Sequence, residues 1–170
     1  MSVRKITRLA LLTAIALIIF IIEMRIPNLI QIPGVKLGLA NIVTVYAVYH
    51  FTAKETFLIL ISRILLGSIF GGNISAIIYS LSGALLCFAG MTFLRHIIDE
   101  KYIWLCSIIG AVLHNIGQIA AAVVMMKTTA VISYLPFLLV SGCIAGAFTG
   151  VCAQILILRT GLNNIFYNEM

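Results

Sequence analysis

Long apolar runs dominate this chain and constrain its fold more than any other feature. Of the 170 residues, 62% are hydrophobic and only 9% are charged. A soluble domain carries about 25% charged residues, because its surface must face water. A chain with so few charges cannot cover a globule, so we expect most of its surface to face lipid. Polarity does not alternate along the runs, which favours membrane helices over the strands of a barrel.

Six of these runs are candidates for membrane-spanning helices. A helix needs about 20 apolar residues to cross the hydrocarbon core, with a range of roughly 17–25. We therefore predict an all-α integral membrane bundle of six helices in a single domain, residues 1–170. The second and third runs are short, which predicts tilt, local thinning of the bilayer, or a helix that ends in a buried loop. The predicted spans are about 6–24, 38–52, 55–71, 74–94, 103–126 and 135–158.

The basic residues are distributed unequally between the two ends of these spans. One face receives seven cations, namely Arg4, Lys5, Arg8, Lys54, Arg95, Lys101 and Arg159, and the other receives three, namely Arg25, Lys36 and Lys127. Basic residues concentrate in cytoplasmic loops, so this imbalance predicts that both termini lie in the cytoplasm, in a multi-pass protein of the cytoplasmic membrane. It also accounts for the net charge of +6. No basic run interleaved with aromatic residues indicates a nucleic-acid partner.

The eleventh cation, Arg63, lies about two turns from the external end of the third predicted span. An arginine inside a span costs about 3 kcal/mol on insertion scales unless it is paired or hydrated. One interpretation is structural: the side chain reaches an interface, or pairs with Glu55 or Glu23. The other is functional: the guanidinium binds the phosphate or carboxylate of a ligand in a cavity.

The fifth span has a polar face in its middle. The stretch GAVLHNIGQIAAA places His114 and Gln118 one above the other, four residues apart, with Asn115 beside them. A polar stripe at that depth faces protein or water rather than lipid. The stripe predicts interhelical hydrogen bonds, contacts to a ligand, or both.

Other polar residues extend this predicted lining. In the stretch IPGVKLGLAN, Lys36 and Asn41 follow a Pro-Gly break at the mouth of the second span, and Tyr79 lies in the fourth span. The semi-apolar connection over about 25–37 is predicted to be an external loop that caps a cavity. Unwound backbone at membrane depth is tolerated only where it lines such a cavity. The predicted substrate-binding residues are Lys36, Asn41, Arg63, Tyr79, His114, Asn115 and Gln118.

Small residues recur at every fourth position in the first and last spans. Gly142, Gly146 and Gly150 form one such ridge, and Ala10 and Ala14 form another. Ridges of this kind permit close contact between helices. We interpret the glycines as packing positions within the bundle. The alanine pair lies near the cytoplasmic end, where a partner subunit can dock.

The chain lacks the residues that several kinds of enzyme and metal site require. The chain has no P-loop, so we expect no nucleotide hydrolysis by this chain alone. Its only aspartate is Asp99, whereas a chain-elongating prenyl synthase uses aspartate clusters to hold magnesium on diphosphate. His50, His96 and His114 are spread over different depths, and the four cysteines show no metal-site spacing. We therefore predict no enzyme activity, no metal site and no cofactor.

Three ordered motifs, PGVKLGLANI, SRILLGSIFGG and LHNIGQ, resemble a family of small membrane proteins. It is described as the Gx transporter or heptaprenyl diphosphate synthase component I family, and the likeness covers nearly the whole chain. That family is similar in architecture to the S-components of energy-coupling-factor transporters. The resemblance implies six helices, cytoplasmic termini, and an external loop over the substrate pocket. It also implies that Ala10 and Ala14 meet a transmembrane coupling subunit.

Two functions remain open from the sequence. In the first, the chain is the substrate-binding membrane subunit of an uptake transporter for a small, anionic organic molecule such as a vitamin, a quinone precursor or an isoprenoid precursor. Its partners are then membrane lipid, a coupling subunit and ATPase subunits. In the second, it is a membrane anchor or partner of a prenyl-diphosphate or quinone-pathway enzyme. A weaker third option is a carrier that works as a homo-oligomer.

Overall fold

The computed structural model of the protein describes residues 3–25, 39–71 and 76–160. These residues form six α-helices and two short 3₁₀ segments, Glu100–Tyr102 and Thr129–Tyr134, and they contain no β-strand. The helices are α1 (Val3–Arg25), α2 (Asn41–His50), α3 (Ala53–Phe70), α4 (Ala76–Leu94), α5 (Ile103–Met126) and α6 (Leu135–Thr160). The predicted all-α class and the predicted six helices are confirmed for these residues.

Four helices, α1, α4, α5 and α6, are long and apolar enough to cross a membrane. α2 is not one of them, because it begins only at Asn41 and has 10 residues. Its length is about 15 Å, half of the roughly 30 Å hydrocarbon core. α2 is thus shorter than the predicted segment over 38–52, and its role as a span stays a prediction. α3 has 18 residues and includes Lys54, Glu55 and Arg63, and its role as a span stays a prediction.

Polar contacts join several helix ends at one end of the bundle, which we call the basic end. Lys5 of α1 forms an ion pair of 2.6 Å with Glu55 at the start of α3. The Arg95 guanidinium, just after α4, donates to the carbonyl oxygens of Val48 at 2.6 Å and Phe51 at 3.3 Å. A cation on these carbonyls stabilises the C-terminus of α2. Lys5 and Arg95, which the sequence assigned to the same face, do lie at the same end.

A capping box fixes the start of α3 beside these contacts. The backbone N–H of Thr52 donates to the Glu55 carboxylate at 3.0 Å, and the Thr52 side chain caps the N–H of the same glutamate. This reciprocal pairing satisfies backbone donors that the helix itself leaves free. The link between α2 and α3 therefore needs only Phe51 and Thr52.

α5 packs against α4 on one side and α6 on the other, through glycines. A Cβ atom at Gly117 would lie 2.7 Å from the Ser82 carbonyl oxygen, and one at Gly150 would lie 2.7 Å from the Cα atom of Trp104. A Cβ atom at Gly146 would likewise lie 2.9 Å from the Cα atom of Ile108. The interpretation of the α6 glycines as packing positions is confirmed.

The largest apolar core cluster fills the basic end of the bundle. It contains Val45 and Val48 of α2, Ile103 and Cys106 at the start of α5, and Ile157 near the end of α6, among others. Ile103, Cys106 and Ile157 are fully buried. Because α2 is short and lies in this half, it does not fill the other half of the bundle.

Candidate ligand-binding site

A cavity of about 550 Å³ lies within the bundle, and residues from all six helices line it. Ligand pockets in proteins have volumes of about 300–1,000 Å³. The predicted site residues that the structure describes all line this one cavity, namely Asn41, Arg63, Tyr79, His114, Asn115 and Gln118. Lys36 lies outside the described residues, as does the predicted capping loop after Arg25. The binding role of these residues stays a prediction.

Arg63 lies where α2 begins. Its guanidinium donates to the side-chain oxygen of Asn41 at 3.3 Å. Arg63 occupies the middle of α3, so this bond places the first residue of α2 well inside the bundle rather than at its rim. The side chain of Glu23 from α1 lines the same cavity, is 7% exposed, and attracts the Arg63 cation. Both interpretations of Arg63 are thus compatible with its position, because it has a structural partner and also faces the cavity.

The polar face of α5 divides between packing and cavity. Asn115 donates from its side-chain nitrogen to the Leu138 carbonyl oxygen of α6 at 2.6 Å. Asn115 therefore forms an interhelical hydrogen bond and also lines the cavity. His114 and Gln118 lie against Gly83 of α4, where a Cβ atom would approach the Gln118 side chain to 2.8 Å. Both face the cavity.

The family can be assigned once this geometry is set beside the sequence. The family model described as heptaprenyl diphosphate synthase component I matches residues 12–156. The chain belongs to this family. The match covers the cavity-lining segments of all six helices, and it confirms the resemblance that the three motifs indicated. No curated protein and no solved structure matches the chain, so the likeness of this family member to the S-components stays a prediction.

The cavity of this component I family member includes polar residues that the sequence did not single out as a site. The hydroxyl groups of Ser107 on α5 and Thr149 on α6 are 3.2 Å apart and both residues line the cavity. Ser68 of α3 also lines it. Thr149 occurs within the glycine ridge SGCIAGAFTG, whose spacing indicated only packing. Thr149 follows Gly146 by three residues on the same helix face, and this spacing could have placed it in the bundle interior.

Ala10 and Ala14 lie away from the cavity. Both are exposed on α1, whereas Leu9 and Ala16 of the same helix are buried against α2 and α3. The structure thus leaves the alanine pair uncovered.

Among the described residues, no group of three histidine, cysteine, aspartate or glutamate side chains is placed to hold a metal ion.

Replacement of Asn115 and of Gln118 should separate packing from ligand contact. We expect Asn115→Ala to lower the free energy of unfolding by about 1 kcal/mol, because an interhelical bond to a backbone carbonyl is lost. Gln118→Leu keeps the contact with Gly83 but removes an amide that makes no hydrogen bond among the described residues, so it should weaken ligand binding about tenfold with little loss of stability. Thermal unfolding and ligand content of the two purified variants measure the difference. Equal stability losses in both would contradict the division.

Proposed function

We propose that this chain is the substrate-binding membrane subunit of an uptake transporter that resembles the energy-coupling-factor type, and that it binds a small, anionic organic molecule. One observation carries the proposal. In a bundle that is mostly apolar, a half-buried arginine, a histidine and three amide side chains converge on one cavity of ligand size. Ionisable groups inside a membrane bundle are costly, and they commonly mark substrate pathways.

Each group has a role in the proposed complex. Arg63 supplies positive charge to the anionic part of the ligand, with Lys36 as a second cation from the capping loop. Asn41, His114 and Gln118 supply hydrogen bonds, and Tyr79 stacks on the ligand or donates to it. Apolar cavity residues such as Ile64, Met126 and Leu138 complete a pocket that suits an organic molecule rather than a bare ion.

The proposed orientation places the basic end in the cytoplasm. Lys5 and Arg95 lie at this end, together with the start of α1, and cytoplasmic loops attract such residues. The cavity then extends from Met126, in the outer half of the bundle, to Ser107 and Thr149 nearer the basic end. The exposed Ala10 and Ala14 face a transmembrane coupling subunit, and separate ATPase subunits supply the energy for transport.

The family description favours a second candidate. Its words, component I of a heptaprenyl diphosphate synthase, suggest a membrane partner of an enzyme that makes prenyl diphosphates. The cavity would then hold the diphosphate end or the chain of an isoprenoid. The same Arg63 suits this ligand, because a guanidinium binds phosphate oxygens in pairs.

Purification from native membranes tests the proposal and separates the candidates. We expect the wild-type protein to carry a bound small molecule that mass spectrometry detects, and Ala122→Phe, which fills the cavity, to carry none. Copurified ATPase subunits support the transporter, and a copurified soluble prenyl synthase supports the second candidate. A wild-type protein that is empty after growth in several media would refute the binding role itself.

A further inference from the structure

The first turn of α2 forms part of the cavity wall, deep inside the bundle. Ala40, Asn41 and Thr44 all line the cavity. The N-cap residue Ala40 has no side-chain oxygen with which to cap the helix, and the Ile42 N–H bonds to the Leu39 carbonyl at 3.1 Å in a turn. The first N–H groups of a helix lack intrahelical partners and carry the positive end of its dipole. An uncapped helix start on a cavity is complementary to an anion.

Thr44 provides an independent observation at the same corner of the cavity. Its side chain is 4% exposed, and within residues 39–71 and the other described segments it makes no hydrogen bond. Polar side chains at this depth nearly always have a partner. Thr44 follows Asn41 by three residues on the same face, and helical side chains tilt back toward the N-terminus. Thr44 therefore lies on the cavity face of α2, one turn from the Asn41 side chain that accepts from Arg63.

Arg63 closes this corner from α3. A guanidinium has five N–H donors, and the bond to Asn41 at 3.3 Å engages one nitrogen. We propose that an oxyanion, the phosphate or carboxylate group of the ligand, binds at the N-terminus of α2 between Arg63 and Thr44. This assignment rests on the proposed function and names the chemical group that orients the substrate in the cavity.

Glu23 allows a test in which the direction of the change in ligand affinity is predicted. Its carboxylate lines the same cavity and attracts Arg63 in the absence of ligand. An incoming oxyanion competes with this carboxylate for the guanidinium and is repelled by its charge. Removing the charge should strengthen oxyanion binding, whereas a cationic or zwitterionic ligand would lose a partner.

The experiment measures the thermal unfolding midpoint of the purified full chain in detergent against concentration of sodium phosphate or sodium acetate. Sodium chloride at matched ionic strength is the control for screening. We expect phosphate, acetate or both to raise the midpoint, since a ligand that binds only the folded state stabilises it. Thr44→Val keeps the side-chain shape and should weaken the apparent affinity about tenfold. Glu23→Gln should strengthen it about fivefold.

Thr13→Val is the matched control, because the Thr13 hydroxyl bonds within α1 to the Leu9 carbonyl and lies outside the cavity. Its affinity should equal that of the wild type. A response to phosphate alone assigns a phosphate group, and one to acetate alone a carboxylate. No response to either anion, or a loss of response in Glu23→Gln, overturns the oxyanion site. If the wild type carries a molecule without an acidic group, the oxyanion site fails while the proposed function stands.

Discussion

Replacement of Arg63 by alanine is expected to lower the bound ligand about 100-fold. The guanidinium is the charged donor at the corner where α2 begins, and hydrogen bonds from charged groups are the strong ones. The substitution also removes the positive charge that attracts the buried Glu23 carboxylate, which should lower the free energy of unfolding by about 2 kcal/mol. Mass spectrometry of the purified variant measures the first effect, and thermal unfolding measures the second.

A double variant separates these two effects. Glu23→Gln with Arg63→Met removes both charges together, so it should regain much of the lost stability but none of the ligand. Arg159→Ala, an exposed arginine at the basic end, should change neither quantity. A double variant that binds ligand as the wild type does would show that Arg63 is only a structural partner of Glu23.

Replacement of Gly117 by valine is expected to cause the largest loss of stability. The new Cβ atom would lie 2.7 Å from the Ser82 carbonyl oxygen and 2.8 Å from the Gly83 Cα atom. Both are backbone atoms, so α4 must shift away from α5. The shift also breaks the 2.8 Å bond from the Ser82 hydroxyl to the Gly117 carbonyl. We expect a loss of about 3 kcal/mol and a midpoint about 10 °C lower.

Ala120→Val is the control for this substitution. Ala120 lies on α5 one turn after Gly117 and is exposed, so the added methyl groups meet no neighbouring helix. Its midpoint should stay close to that of the wild type. If Gly117→Val unfolds at the wild-type temperature, α4 and α5 do not cross at Gly83 and Gly117 as closely as the structure shows.

The length of α2 is where sequence and structure disagree most clearly. The run over 38–52 is apolar throughout except for a few polar residues, so hydropathy gave no reason to begin the helix as late as Asn41. The bond between Asn41 and Arg63 reveals that the start of α2 belongs to the cavity. That bond joins residues 22 positions apart, and no periodicity within either run predicts it.

The sequence predicted several residues of the site, but not how they are arranged around the cavity. The unusual residue types marked Arg63, His114 and Gln118, because polar side chains in a span are rare enough to be noticed one at a time. Ser107 and Thr149 carry no such mark, since hydroxyl side chains are common in membrane helices and often bond to their own backbone. Their importance follows from neighbours on other helices.

The sequence by itself determined that the chain is a helical membrane protein of six segments, that the glycines of the sixth segment permit close helix contact, and which polar side chains must avoid lipid. These properties depend on local composition and on the helical repeat. Only the tertiary structure decided that the polar side chains share one cavity, that Asn115 bonds to α6, and that α2 begins at Asn41 beside Arg63. The reason is physical: helix packing depends on backbone contacts between distant segments, and such contacts leave no periodic trace in either segment.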